Sequence, residues 1–358
     1  MKKLLALILV LVLSISVFAG CSKKDDTKQG TGSTTEQPQE EKKDELKVID
    51  TLKIAFVPSK EPQEIITATD PLKKLLKDEL VKHGYDVKNV DISVGTSYEA
   101  VGEGMEAGTT DVGFIPGGTY VLYSDGVDVL LTATRAGLSK DSENAKDWND
   151  GKATEPKDEQ VTYYRSLMIA GPSAKGKELA EKVNSGQELT ADDLKSAKWG
   201  HRSPTSSSGY IYPSIYLKGK YGFTLGDVPQ AVELDSYGSS IAKLADESVD
   251  IVTIYADARR DYAKKWNEEF NRDGSIWEDT QVIGVSDPIY NDTISVSKSS
   301  KIMDEEFKKA LSDSFIKIGS TPEGVEVMKI YSHEGYKPAK ASDYDKEREA
   351  QELLKSFN

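Results

Sequence analysis

The sequence predicts an α/β body in two lobes, built on mostly parallel sheets flanked by helices. Three observations carry this. Short apolar runs alternate along the chain with leucines at helical spacing. Setting aside the first 50 of 358 residues leaves about 308, enough for two lobes with cores of their own. A twenty-residue element also recurs weakly: residues 96–115 read TSYEAVGEGMEAGTTDVGFI and residues 235–254 read DSYGSSIAKLADESVDIVTI. Each places Ser-Tyr at a helix start and, thirteen residues after the Tyr, Asp followed by Val or Ile opening a strand. Tyr98 and Tyr237 would then face a shared cleft from opposite lobes.

The chain opens with Lys2 and Lys3, an apolar run from Leu4 to Leu13, and Phe18-Ala19-Gly20-Cys21. A basic start, an apolar stretch and small residues before a cut site read as an export signal over residues 1–20. The run is shorter than the ~20 residues of a spanning helix. Cys21 is the only cysteine, and its place after Ala19-Gly20 resembles the bacterial lipobox, which implies lipidation of Cys21. Residues 21–50 are polar and charged, with almost nothing apolar before Leu46, and read as the lipidated cysteine and a disordered tether.

In the body, Leu52–Val57 is a buried strand by pattern, ended by Pro58. Asp70-Pro71 opens a helix in which Leu72, Leu75, Leu76 and Leu80 share a face, and Gly84 stops it. Strands follow at 87–94, 111–115, 127–134 and 167–170. Thr96 and Glu99 fit a capping box for a helix running to Gly108.

Net charge is −14, and the segments before residue 51 cancel to zero, so the body carries all of it. That excludes a nucleic-acid binder, which needs Lys and Arg to displace counterions. One cysteine excludes a disulfide framework, and three histidines leave little for a metal centre. No cofactor, metal or catalytic residue is expected. There is no H-E-x-x-H, G-x-S-x-G or G-x-G-x-x-G. Residues 171–178, GPSAKGKE, approach a nucleotide-binding loop, but Glu178 replaces the magnesium-binding Ser or Thr and Pro172 lacks an N–H.

The most informative stretch is His201-Arg202-Ser203-Pro204-Thr205-Ser206-Ser207-Ser208-Gly209-Tyr210. It follows a short strand and leads into a helix through Ile211, Ile215 and Leu217, with Pro213 implying an irregular or delayed first turn. Four hydroxyls before a glycine at a helix start make a cradle for an oxyanion, using free N–H groups and neutral donors. His201, beside it, is the one histidine worth testing.

Here the chain resembles the phosphate, phosphite and phosphonate receptors of ABC importers, over residues 52–335. The resemblance rests on Ser206-Ser207-Ser208-Gly209-Tyr210 with Pro213, Ser97-Tyr98-Glu99-Ala100 through Asp111-Val112, Tyr163-Tyr164-Arg165-Ser166, Ser248-Val249-Asp250 with Asp257, and residues 285–292, VSDPIYND. It implies a two-lobed type II periplasmic-binding fold with the ligand cleft between lobes: residues 51–163 plus 286–358 in lobe 1 and 164–285 in lobe 2. It also implies that Ser206, Ser207 and Ser208 hold the ligand's oxygens, with Thr205 expected beside them as the first hydroxyl of the cradle, and that Tyr98 and Tyr164 donate from the cleft walls. Asp257 and Asp292 would take an ammonium or a protonated oxygen. Tyr237 stands where such receptors often carry His, which leaves another small anion or an amine-bearing solute open as ligand. The expected partners are a small oxyanion, an ABC permease with its ATPase subunit, and the outer face of the membrane through the lipid alone. The body itself is expected to be a monomer. A surface phosphoesterase lipoprotein is the alternative from another class.

Overall fold

The strands of the computed structural model, described here for residues 45–356, sort into two sheets and a small pairing between them. The export segment, Cys21 and the tether up to residue 44 lie outside these residues. The first lobe carries β1 (Lys47–Phe56), β2 (Tyr85–Val94), β3 (Val112–Ile115), β4 (Val127–Leu138) and β5 (Pro156–Val161). Next come β6 (Tyr163–Tyr164), then β7 (Ser166–Ala170), β8 (Trp199–His201), β9 (Ala231–Glu233), β10 (Ile251–Tyr255) and β11 (Gln281–Val285) of the second lobe. The chain returns through β12 (Ile289–Tyr290) to β13 (Thr293–Ser297) and β14 (Gly335–Pro338).

The larger sheet runs β14-β4-β13-β3-β1-β2, with β5 on β4, and the smaller runs β11-β7-β10-β8-β9. Both are mixed, which corrects the expectation of mostly parallel sheets. β1 pairs in parallel with β2 and β3, and β8 with β9 and β10. The strands next to the lobe crossings, β7 and β13, pair antiparallel with their neighbours because the chain enters each sheet from the other lobe. The two crossings themselves pair as β6 and β12, Tyr164 opposite Ile289.

Each lobe has its own core. Leu72, Leu76 and Leu80, one helix face, pack with Leu52, Ile54 and Phe56 of β1. The second core gathers Leu167, Ile254, Val282 and Trp266. β1 begins earlier than expected: Lys47, Val48 and Ile49, expected in the tether, pair with β2, and Ile49 is buried there.

Two segments cross the expected lobe boundaries. Between β4 and β5 the chain reaches over to the second lobe, where Trp148 enters the core. Asn149 completes the open edge of β11: its Oδ1 accepts from Val282 N at 2.7 Å and its Nδ2 donates to Val282 O at 2.9 Å. The Asp345–Lys355 helix packs against both lobes, with Ala350 in the second core and Tyr344 just before it in a first-lobe cluster. Residues 145–149 and the C-terminal helix therefore act as bridges, although their sequence positions assign them to lobe 1.

Candidate ligand site between the lobes

The cradle forms where the chain leaves β8. Ser206 caps an irregular turn, Ser207–Ile211, its Oγ accepting from Gly209 N at 3.2 Å. The turn is π-helical, a form found frequently at functional sites. The regular helix starts only at Tyr212, so Pro213 falls in its first turn, where no N–H is missed. Gly209 is required by close approach, since a Cβ there would sit 2.4 Å from Cβ of Arg202.

The irregular turn splits the hydroxyl quartet into two pairs. Ser206 and Ser208 face a cavity between the lobes, and their Oγ atoms lie 3.1 and 2.8 Å from the Tyr237 hydroxyl. Thr205 and Ser207 face the seam where the lobes meet instead. Thr205 Oγ1 donates to Glu99 at 2.9 Å. Ser207 Oγ accepts from Gly118 N at 3.0 Å and donates to Glu347 at 3.2 Å. Glu99 does not close the expected capping box. Ser97 caps that helix through Ala100 N, and the Glu99 carboxylate reaches across to Ser203 and Thr205. Burial opposes its charge, but those donated bonds outweigh it and hold the carboxyl below its ordinary range.

The two Ser-Tyr elements meet as the internal echo predicts. Ser97 and Ser236 cap the two helices, and Tyr98 and Tyr237 line the cavity from opposite lobes. Tyr164, beside the crossing, also lines it, under the Arg135 guanidinium at 4.3 Å. Burial raises all three phenols above their ordinary range, so they stay protonated donors.

The two acids part company. Asp292 lines the cavity, with Oδ2 3.4 Å from Nε2 of His333. Asp257 does not. It is 2% exposed and accepts from Arg135 at 3.2 Å and Arg260 at 2.7 Å. Its place is behind Arg135, fixing that side chain, which corrects its expected position against the ligand.

Sequence reading missed several wall residues. Arg135, 4% exposed, enters from β4, held by Asp257 and by Asn291 at 2.8 Å. Burial works against its charge, but the fields of Asp257 and Asp292 outweigh this and keep it raised. Its Nε is buried without a partner, as is the hydroxyl of Ser59 on the same wall. Lys60, Tyr255 and Tyr331 also line the cavity. The histidine at the cleft is His333, not His201, whose Nδ1 contacts its neighbour's carbonyl, Arg202 O, at 2.8 Å. Burial pushes His333 below its ordinary value despite Asp292. A charged residue inside the apolar run of β4 was the one available signal for Arg135.

The volume open to a water's centre is about 50 Å³. At roughly 10–15 Å³ per water, that takes a few water-sized groups, the scale of a tetrahedral oxyanion with one small substituent. Among the described residues no group of three His, Cys, Asp or Glu is placed to hold a metal ion.

A family model for the periplasmic substrate-binding protein of phosphonate ABC transporters matches residues 54–344. Among solved structures, the chain is similar to a binding-protein component of an ABC phosphonate transporter from Pseudomonas aeruginosa. Identity is 16%, coverage 86% of this chain and 87% of that one, and the TM-score 0.63. It is also similar to PhnD1 of Prochlorococcus marinus in complex with methylphosphonate, at 15% identity, 86% and 98% coverage and a TM-score of 0.60. A third is Mh-p37 of Mycoplasma hyorhinis, a putative thiamine pyrophosphate transporter, at 14% identity, 88% and 100% coverage and 0.60. A search of curated proteins finds no match.

Proposed function

We propose that this chain, which belongs to the periplasmic substrate-binding family of phosphonate ABC transporters, captures a small phosphorus oxyanion between its lobes and delivers it to a permease. The observation that carries this is the set of neutral donors converging on one small cavity: Ser206, Ser208, Tyr98, Tyr164 and Tyr237. Protonated hydroxyls bind an anion without competing counter-charges, and each charge-assisted bond is worth about 1.5–3 kcal/mol. Arg135 Nε and Ser59 Oγ, both buried and unpaired, supply two more polar contacts for ligand oxygens. Asp292 accepts from a protonated ligand oxygen and so disfavours anions without one, because an unmatched carboxylate in the cleft is costly. Phosphite, phosphate and small alkylphosphonates all meet these demands.

Nothing in this chemistry calls for turnover: the cleft binds and releases. The export signal and Cys21 support attachment by lipid to the outer face of the cytoplasmic membrane, which labelling with a radioactive fatty acid, with and without Cys21→Ala, would test.

Calorimetry with phosphate, phosphite, methylphosphonate and 2-aminoethylphosphonate tests capture itself. Ser207 lies in the seam, so the diagnostic variant is Ser208→Ala. It is expected to weaken the best ligand roughly tenfold or more, the loss of one charge-assisted bond. Unchanged affinity would remove the cradle from the site, and binding to none of the four would remove phosphorus oxyanions as the ligand class.

A further inference from the structure

Arg202 is the cation at this cleft with no acid of its own. It is 3% exposed at the end of β8. Its Nη2 donates to Pro58 O at 2.7 Å, its Nε has no partner, and its guanidinium lies 5.4 and 5.6 Å from the rings of Tyr98 and Tyr237. Both rings also line the cavity, and Arg202 itself is not among its lining residues. The other cations of the walls are balanced: Arg135 by Asp257 at 3.2 Å and Lys60 by Asp261 at 3.3 Å. Among the described residues no ion pair reaches Arg202, and Asp292, the remaining acid of the cleft, contacts His333 instead.

Two of the groups that bury this guanidinium, Pro58 and Tyr98, belong to the opposite lobe. The charge therefore loses water only when the lobes meet. A buried, unpaired cation is strongly unfavourable, and two aromatic faces offset that only partly. An anion in the cavity, just beyond the two rings, supplies the missing counter-charge.

Building on the capture function above, we infer that Arg202 couples closure to the charge of the ligand: the lobes close over an anion and stay apart over a neutral or cationic solute of the same shape. Arg202 acts through Tyr98 and Tyr237, so it is a positioning residue that sets charge class while the hydroxyls set shape. Cation–π contact with both rings also draws density from the phenols, which sharpens them as donors to the anion.

The test compares wild type with Arg202→Lys, Arg202→Met and Arg202→Gln, using calorimetry and small-angle scattering. Methylphosphonate is the anionic probe and dimethyl sulfone its neutral tetrahedral counterpart. Wild type is expected to contract with methylphosphonate and not with the sulfone. The uncharged variants should lose methylphosphonate affinity by roughly a hundredfold, the scale of truncating one side of a buried charged contact. Arg202→Lys should retain most of it, since charge is kept while the planar stack and the Pro58 bond are disturbed. Two uncharged variants keep the comparison available should one misfold. Met and Gln variants that bind as tightly as wild type, or a Lys variant that fails as badly as they do, would overturn the role of the charge. Wild type that binds no phosphorus oxyanion in the panel would instead overturn the capture proposal and with it the ligand class assigned here.

Discussion

Alanine at Gly118 is expected to keep the lobes from closing and to weaken ligand capture, while the ligand-free protein melts as before. Gly118 lies on the short Gly117–Leu122 helix of the first lobe. A Cβ added there would sit 2.4 Å from Thr205 O and 2.6 Å from Ile211 Cδ1, both on the second lobe. Thr205 O is backbone and cannot swing aside, so the second lobe has to retreat. The retreat strains a seam of bonds between the lobes. Gly118 N donates to Ser207, Tyr237 N to Ser59 O at 2.9 Å, Arg202 to Pro58 O, and Ser203 and Thr205 to Glu99. Losing two or three of these at about 1 kcal/mol each lowers affinity roughly thirtyfold or more. Within its own lobe the substitution is benign, because a helical residue without positive φ gains from alanine. Gly219→Ala is the control, in a helix where nothing lies within 4 Å of the added Cβ. Calorimetry reads the affinity and small-angle scattering reads the closure. Equal affinity for Gly118→Ala and wild type would mean that this face of the seam gives way freely.

The parts of this protein that obey a period were legible in the sequence, and the parts that depend on a turn's handedness were not. Leu72, Leu76 and Leu80 declare one face of a helix, and they form part of a core. The Ser-Tyr echo at 97–98 and 236–237 placed both tyrosines on opposite walls of one cavity, because a capped helix after a strand aims its first residues at the strand's carboxyl end. Four adjacent hydroxyls marked the cradle, but spacing cannot say that a π-helical turn sends Ser206 and Ser208 inward and Thr205 and Ser207 into the seam. Asp257 reads alike whether it meets a ligand or Arg135, since its partner is 122 residues away. His333 and Tyr331 come from a stretch with no distinguishing pattern, and only the fold brings them to the cleft. Glu99 shows the same limit locally: its spacing from Thr96 satisfies a capping box, yet the closed lobes offer it better donors.

Glu347→Gln is expected to stabilise the closed, ligand-bound protein by about 3 kcal/mol above pH 7 and to remove a loss of stability that wild type suffers between about pH 4.5 and 7. The carboxyl is 2% exposed on the C-terminal helix, wedged between the lobes. Oε1 accepts from Ser207, Oε2 has no partner, and the nearby Gly118 carbonyl is taken by Gln351 at 2.6 Å. Burial pushes its pKa from 4.5 to about 7, against the bonds from Ser207 and Tyr212, and the field of Asp292 adds to the rise. The sign follows from which state holds the proton. Below pH 4.5 the group is neutral folded or unfolded and costs nothing. Between 4.5 and 7 the folded chain keeps a proton that the unfolded chain releases, so each pH unit lowers stability by about 1.4 kcal/mol. Above 7 the carboxylate is charged in both states and the full penalty persists. Glutamine mimics the neutral acid and cannot ionise, so its stability should lack this slope. Denaturant melts of both proteins at pH 5, 6, 7 and 8, with methylphosphonate at saturation so that the lobes are closed, give the comparison directly. Ser207 and Tyr212 belong to the second lobe and Gly118 to the first, so the acid is enclosed only when the lobes meet. The same proton should then be taken up on closure, and the Gln variant should bind ligand more tightly than wild type at pH 8, an advantage that shrinks to about threefold at pH 5. Parallel stability profiles for the two proteins would show that water still reaches this carboxyl, and that the C-terminal helix is not sealed into the seam.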